Sequence, residues 1–279
     1  SASPADRPLL PAGAHAPAGA PGVRVVPATA AITDLRAVKS PVEVERIRRA
    51  VLATVEGLRD AARTVAPGVA EYQVQAVVEL RCRLAGCLSQ AFDSIVGSGP
   101  NSCVLHYMAN TRTMAAGELV VVDVGGAYRG YAADVTRTFP VSGTFDARQA
   151  EVYDAVLAAQ EAGIAAVRPG ATLRDVHEAA RSVLRERGLD RWFIHGTSHS
   201  VGLNVHDPWG RERQLAPGSV LTVEPGVYIP DEALGVRIED TVLVTEDGAL
   251  VLSAGVPKDR DGVEALMREP PPIEVPGPR

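Results

Sequence analysis

The chain has 279 residues, 46% of them hydrophobic, and a formal net charge of −6, so it can bury one substantial core but lacks the basic footprint of a nucleic-acid binder. No run of about eighteen apolar residues offers a membrane-spanning helix. Three cysteines without a CxxC pair (Cys82, Cys87 and Cys103) and an N-terminus without the basic-then-apolar order of a signal peptide lead us to expect a cytoplasmic protein in a reducing compartment.

Residues 1–31 carry prolines at 4, 8, 11, 17, 21 and 27 and few large apolar side chains, which predicts a linker. The folded unit is expected over residues 32–265, and residues 266–279, ending in EPPPIEVPGPR, read as a Pro-rich tail. Ser40, Pro41 and Glu43 form a capping box ahead of Val44, Ile47, Val51, Val55 and Leu58, which recur at helical spacing until Pro67-Gly68. A second helix is predicted from about Glu71 to Ala85. Asp146 with Gln149, then Thr172 with Asp175, cap two more helices, the first ending at Pro169-Gly170 and the second near Arg187-Gly188.

The second helix pair repeats the first. An offset of 102 residues lays Val65-Ala66-Pro67-Gly68 on Val167-Arg168-Pro169-Gly170, and Val74 on Val176. The likeness continues into strands. Gly-Glu-Leu-Val-Val-Val-Asp123 parallels Gly-Ser-Val-Leu-Thr-Val-Glu224, and each half goes on to a strand bearing a second carboxylate, Asp134 or Glu239. Gly125-Gly126 and Gly130 are expected to make the turns between Asp123 and Asp134. Two helices and a β-ribbon in each half predict an α+β fold whose halves set their carboxylates face to face.

Carboxylates flanking a hairpin are ordinarily turn formers or solvated groups. Their pseudo-symmetric recurrence, each time beside an apolar strand, argues for a site, because an isolated buried carboxylate is too costly. Three of the six histidines (His195, His199 and His206) fall in one short Gly-containing segment, where Val201, Leu203 and Val205 suggest a lined cavity. Asp123, Asp134, His199, Glu224 and Glu239 together make a hard, oxygen-rich donor set. It suits a pair of divalent ions (Mn, Co, Zn or Fe) better than one structural zinc. Without metal the carboxylates would repel one another; with it they would be neutralised, and water could be activated against a carbonyl.

In order and spacing, these five residues make the segment from Leu35 to Val256 resemble the pita-bread metallopeptidases. That group includes methionine aminopeptidase, prolidase and aminopeptidase P. His195 four residues before His199, the run Glu224-Pro225-Gly226-Val227-Tyr228, and Arg237 two residues before Glu239 resemble the proline-directed branch. His-Gly-Thr-Ser-His199 and Leu-His-Tyr at 105–107 are more similar to aminopeptidase P than to prolidase.

The resemblance implies two divalent ions, manganese foremost, bridged by Asp134 and Glu239. Asp123 would chelate one ion, and His199 and Glu224 the other. It also implies Glu224 as general base and His106 and His206 as catalytic histidines that contact substrate and aid proton transfer. His195, Tyr228 and Arg237 would form the substrate site. The substrate it implies is a peptide with proline second; the alternatives are an Xaa-Pro dipeptidase or a non-catalytic binding module on the same fold. A homodimer or other homo-oligomer is expected. Relatives of this branch usually carry a sizeable N-terminal domain, so the Pro/Ala-rich start reads either as a linker or as its remnant, and a wider substrate entrance is expected.

Overall fold

The computed structural model describes residues 28–210 and 212–275. Most of the Pro/Ala-rich start and the last four residues of the tail lie outside them. Helix α1 (Thr29–Ala37) begins once the prolines cease, inside the stretch read as linker, and has no side-chain cap. Helix α2 (Pro41–Thr64) starts at the expected capping box: Ser40 Oγ accepts from the Glu43 N–H, and Glu43 Oε2 accepts from the Ser40 N–H at 2.8 Å. Its face of Ile47, Val51, Val55 and Leu58 is buried, and helix α3 (Glu71–Leu84) packs against it.

Seven short elements separate α3 from the next helix pair. These are β1 (Ser89–Gln90), β2 (Ile95–Ser98), a 3-10 turn (Gly99–Cys103), β3 (Leu119–Val124), β4 (Gly126–Tyr128), β5 (Tyr131–Ala132) and β6 (Val135–Pro140). β3 is central and antiparallel to both β2 and β6, with Asp123 opposite Ile95 on one side and Thr136 on the other. All six residues of β3 and of β6 are buried; β3 reads as an apolar run broken only by Asp123, whereas β6 (Val-Thr-Arg-Thr-Phe-Pro) buries polar side chains as well.

The second half follows the same order. Helices α4 (Ala147–Ala166) and α5 (Leu173–Glu186) are capped by Asp146 and Thr172 as expected. Then come β7 (Val220–Val223), β8 (Gly226–Ile229), β9 (Leu234–Arg237), β10 (Asp240–Val244), β11 (Ala249–Val251) and α6 (Arg260–Met267). β10 pairs antiparallel with β7, as β6 pairs with β3. The sequence puts Asp134 and Glu239 on strands; each instead stands one residue ahead, before β6 and β10. The halves join there: the Glu239 N–H donates to the Thr136 carbonyl at 3.0 Å, and the Arg237 N–H donates to Thr138 Oγ1 at 3.0 Å.

A buried ionic cluster, which composition gives no hint of, fastens this seam. Arg137 is fully buried, and its Nη1 donates to the Glu239 carbonyl at 2.6 Å and to the Thr136 carbonyl at 2.9 Å. Its Nη2 meets Asp240 Oδ1 at 2.8 Å. Ser253, Gln160 and Lys258 also donate to the Asp240 carboxylate. Burial alone would raise the Asp240 pKa, but the charges of Arg137 and Lys258, with hydrogen bonds from Arg137 and Ser253, hold it well below the usual range.

Asp240→Asn is expected to cost about 3–5 kcal/mol in chemical denaturation, because Arg137 would be left as a buried cation without its counter-charge. The depressed carboxyl contributes stability that is fully present above its unfolded value near 4 and lost as the pH falls towards its folded value. The variant should therefore show a flatter acid limb than the parent. Equal stability of the two proteins at pH 7 would overturn this assignment.

Candidate metal centre

Local backbone geometry brings the carboxylates together. Gly125 was expected to serve a turn, but its φ is not positive. A Cβ there would run into the Ala133 carbonyl oxygen, so glycine lets the strand after Asp123 cross closely over the residue before Asp134. Gly130, with φ +85°, does make the turn. Gly226 serves the second half similarly, since a Cβ would strike the Tyr228 hydroxyl.

Asp123, Asp134 and Glu239 are buried, while His199 and Glu224 are partly exposed. His199 Nε2 lies 3.3 Å from both Asp134 Oδ2 and Glu224 Oε1. Asp134, His199 and Glu239 each present a ligand atom within 4.8 Å of the others, close enough to share one ion. Asp123 Oδ1 and Glu239 Oε1 are buried without a hydrogen-bond partner. Orphaned buried carboxylate oxygens are costly and rare, and a cation is the partner that would satisfy them. Burial first, and neighbouring carboxylates second, push the acids of Asp134 and Glu239 well above their ordinary range. The residues present therefore fit a divalent metal centre.

Hydroxyls aim the carboxylates. Thr136 Oγ1 donates to Glu239 Oε2 at 2.7 Å, and Thr222 Oγ1 donates to Glu224 Oε1 at 3.2 Å. Sequence reading missed both threonines. Each stands two residues from a ligand carboxylate (Asp134 or Glu224) on a strand, and that spacing was the available signal.

Arg237 and Tyr228 were expected to face substrate. They are instead 3% and 2% exposed, and their polar atoms are spent inside the protein. Arg237 Nη2 donates to Asp123 Oδ2 at 2.6 Å and Nη1 to the Tyr228 hydroxyl at 2.9 Å. Arg237 thus holds Asp123 from behind and Tyr228 backs Arg237, so the two support the site's walls rather than offer free donors to a substrate. The Tyr228 hydroxyl also lies 2.9 Å from His195 Nε2, carrying the chain of contacts outward. Burial pushes the tyrosine pKa up to about 12 and the His195 imidazole below its ordinary value. The phenol is therefore un-ionised at neutral pH, and His195 favours its neutral form.

His206 is exposed, and its ring packs 4.0 Å from that of His199. His106 is exposed in the loop after the 3-10 turn, with no hydrogen bond or ion pair to the described residues. That loop is tied down through the fully buried Glu71, which accepts from Ser98, Asn101, Tyr107 and the Arg112 N–H. Among the apolar neighbours, Val201 is packed in the core and Leu203 is about half exposed, so Val201 belongs to the interior rather than to a cavity wall.

The sequence signature of metallopeptidase family M24 matches residues 45–246. Xaa-Pro aminopeptidase 1 of Streptomyces coelicolor is 40% identical over 272 residues, covering 85% of this chain and 55% of that protein. The Xaa-Pro dipeptidase of Pyrococcus furiosus is 40% identical over 223 residues, covering 78% and 63%. The structure of proline aminopeptidase P II from Yersinia pestis superposes with a TM-score of 0.83 at 37% identity, covering 86% of this chain and 62% of that one. The chain thus spans little more than half the length of the curated relatives it matches. The fold is the α+β pita-bread fold of these proteins.

Proposed function

This chain belongs to metallopeptidase family M24, and from that premise we propose that it is a dinuclear-metal aminopeptidase cleaving the bond between an N-terminal residue and a following proline. One observation supports the reading: Asp134, His199 and Glu239 from both halves bring ligand atoms together, Glu224 lies beside His199, and the Arg237–Tyr228–His195 chain is held against Asp123.

Asp123, Asp134, His199, Glu224 and Glu239 would together hold the two ions. Manganese is the proposed metal, and cobalt, zinc and iron also suit this donor set. Such ions, when bound, polarise a carbonyl and make water nucleophilic near neutral pH. Glu224, partly exposed and oriented by Thr222, takes the proton from water as general base. His106 and His206, both exposed, contact the peptide and return a proton to the leaving nitrogen.

The bond before proline is a tertiary amide without an N–H, so recognition rests on carbonyls and on the fixed shape of the ring. His195 and His206 can address those carbonyls; Arg237 is already committed to Asp123 and Tyr228. We place the protein in the cytoplasm as a homodimer or other homo-oligomer, a state that light scattering would test. No helix among the described residues is long and apolar enough to cross a membrane.

The deciding experiment offers Ala-Pro-Ala, Ala-Pro and Met-Ala-Ser at equal concentration. The expected result is release of Ala from Ala-Pro-Ala with Pro-Ala left intact. Cleavage of Ala-Pro alone would make it an Xaa-Pro dipeptidase, the second reading that the Pyrococcus relative supports. Preference for the Met peptide would reject a proline-directed enzyme.

A further inference from the structure

Asp207 follows His206 in the chain but is turned inward, 6% exposed. Two cations from the N-terminal side of the fold reach it. Arg36, in the last turn of α1, pairs with Oδ1, and Lys39, between α1 and α2, places Nζ 3.4 Å from Oδ2. Lys39 also donates to Ser200 Oγ at 3.0 Å. Within the loop, the Asp207 N–H donates to the Ser200 carbonyl at 2.8 Å, and the Asn204 N–H donates to Asp207 Oδ1 at 3.2 Å. A Cβ on Gly202 would collide with the carboxylate, so this one anion fills the inside of the loop.

Ser200 and Asp207 form an antiparallel bridge. His199 and His206 each stand one residue ahead of a bridge member, and their rings pack 4.0 Å apart at 52°. A loop that only had to be solvated would need neither a buried carboxylate nor two cations drawn from more than 160 residues away in sequence. Burying those charges is worthwhile only if the geometry is held closely, because unpaired they would be very costly.

We propose that Asp207, clamped by Arg36 and Lys39, is a positioning residue that sets the His206 ring against His199, so that the reach of His206 towards substrate depends on the α1–α2 junction. The proposal rests on the substrate-contacting role given to His206 above.

The test uses the full chain with Asp207→Asn and Lys39→Gln, each alone and combined with His206→Ala. Lys39→Gln keeps a donor for Ser200 and leaves Arg36 to neutralise Asp207, so it serves if Asp207→Asn fails to fold. Either single change is expected to lower kcat about 10- to 100-fold, the cost of a misplacement on the order of 1 Å, with KM and metal content little changed. In the His206→Ala background the same changes should add no more than about twofold, because the residue they act through is gone. Equal losses in both backgrounds would overturn the proposal.

Imidazole NMR of the metal-free chain gives a readout without turnover. Asp207→Asn or Lys39→Gln should move the His206 ring resonances and leave those of His177 in place. An unmoved His206 signal in a folded variant would equally overturn it. If His206→Ala alone left turnover intact, the functional role of His206 would fall, and the NMR shift would still decide the positioning.

Discussion

Removing divalent metal with a chelator is expected to abolish peptide hydrolysis and to lower the melting temperature, with the larger drop at pH 8 than at pH 5. Burial and neighbouring carboxylates raise the pKa values of Asp134 and Glu239 in the metal-free chain. A carboxyl raised on folding contributes stability that is fully present below its unfolded value near 4 and lost as the pH rises through its folded value. The metal-free chain therefore weakens with rising pH. Metal binding runs the other way, since its ligands must be deprotonated, so affinity grows with pH. At a thousandfold excess over Kd, binding adds about 4 kcal/mol to the folded state.

Scanning calorimetry at both pH values, with and without Mn²⁺, measures the difference. Asp123→Asn and Glu239→Gln should each remove most activity. Metal-free Glu239→Gln should nevertheless be at least as stable as the metal-free parent at pH 8, because a neutral amide replaces a buried carboxyl whose charged form is disfavoured and whose Oε1 has no partner. Full activity in chelator, with no change in melting temperature, would reject the metal centre.

The parts of this fold written in local chemistry could be read from sequence. The capping boxes at Ser40, Asp146 and Thr172 bond as expected because a cap depends on residues three apart. Asp134, His199 and Glu239, whose ligand atoms converge, were legible because carboxylates recur at matching places in the two halves with a histidine-rich segment between them, and the family resemblance assigned them roles. Contacts between distant segments left no local trace. Arg137 reads as one more arginine on a strand, yet it holds the Glu239 carbonyl from 102 residues away. Arg36 and Lys39 look like helix-end cations, and nothing near them predicts Asp207. Arg237 and Tyr228 were identified as site residues, but their bonds, which run to Asp123 and to each other, were not foreseen. Sequence order does not reveal that this guanidinium will be buried against Asp123, Tyr228 and Thr136 and so withdrawn from solvent. Helix α1 escaped notice because it lacks a capping side chain.

His106→Ala and His206→Ala are each expected to lower turnover by about 100- to 10,000-fold, the usual range for a positioned acid–base group, while metal content stays at the parent level. The two histidines are held differently. His206 is packed ring to ring against His199 but is not one of the three residues whose ligand atoms converge. His106 sits on a loop whose neighbour Tyr107 donates to buried Glu71 at 2.9 Å, so the backbone is fixed while the imidazole remains exposed. An exposed ring held by a rigid loop can meet a substrate without paying to desolvate itself first. For the same reason, added imidazole should partly restore turnover to His106→Ala, because the vacated position is open to solvent. Metal analysis run beside steady-state kinetics separates the possibilities. Metal lost in step with turnover in His206→Ala would make that residue a ligand and overturn the assignment, and unchanged turnover in either variant would remove that histidine from the catalytic set.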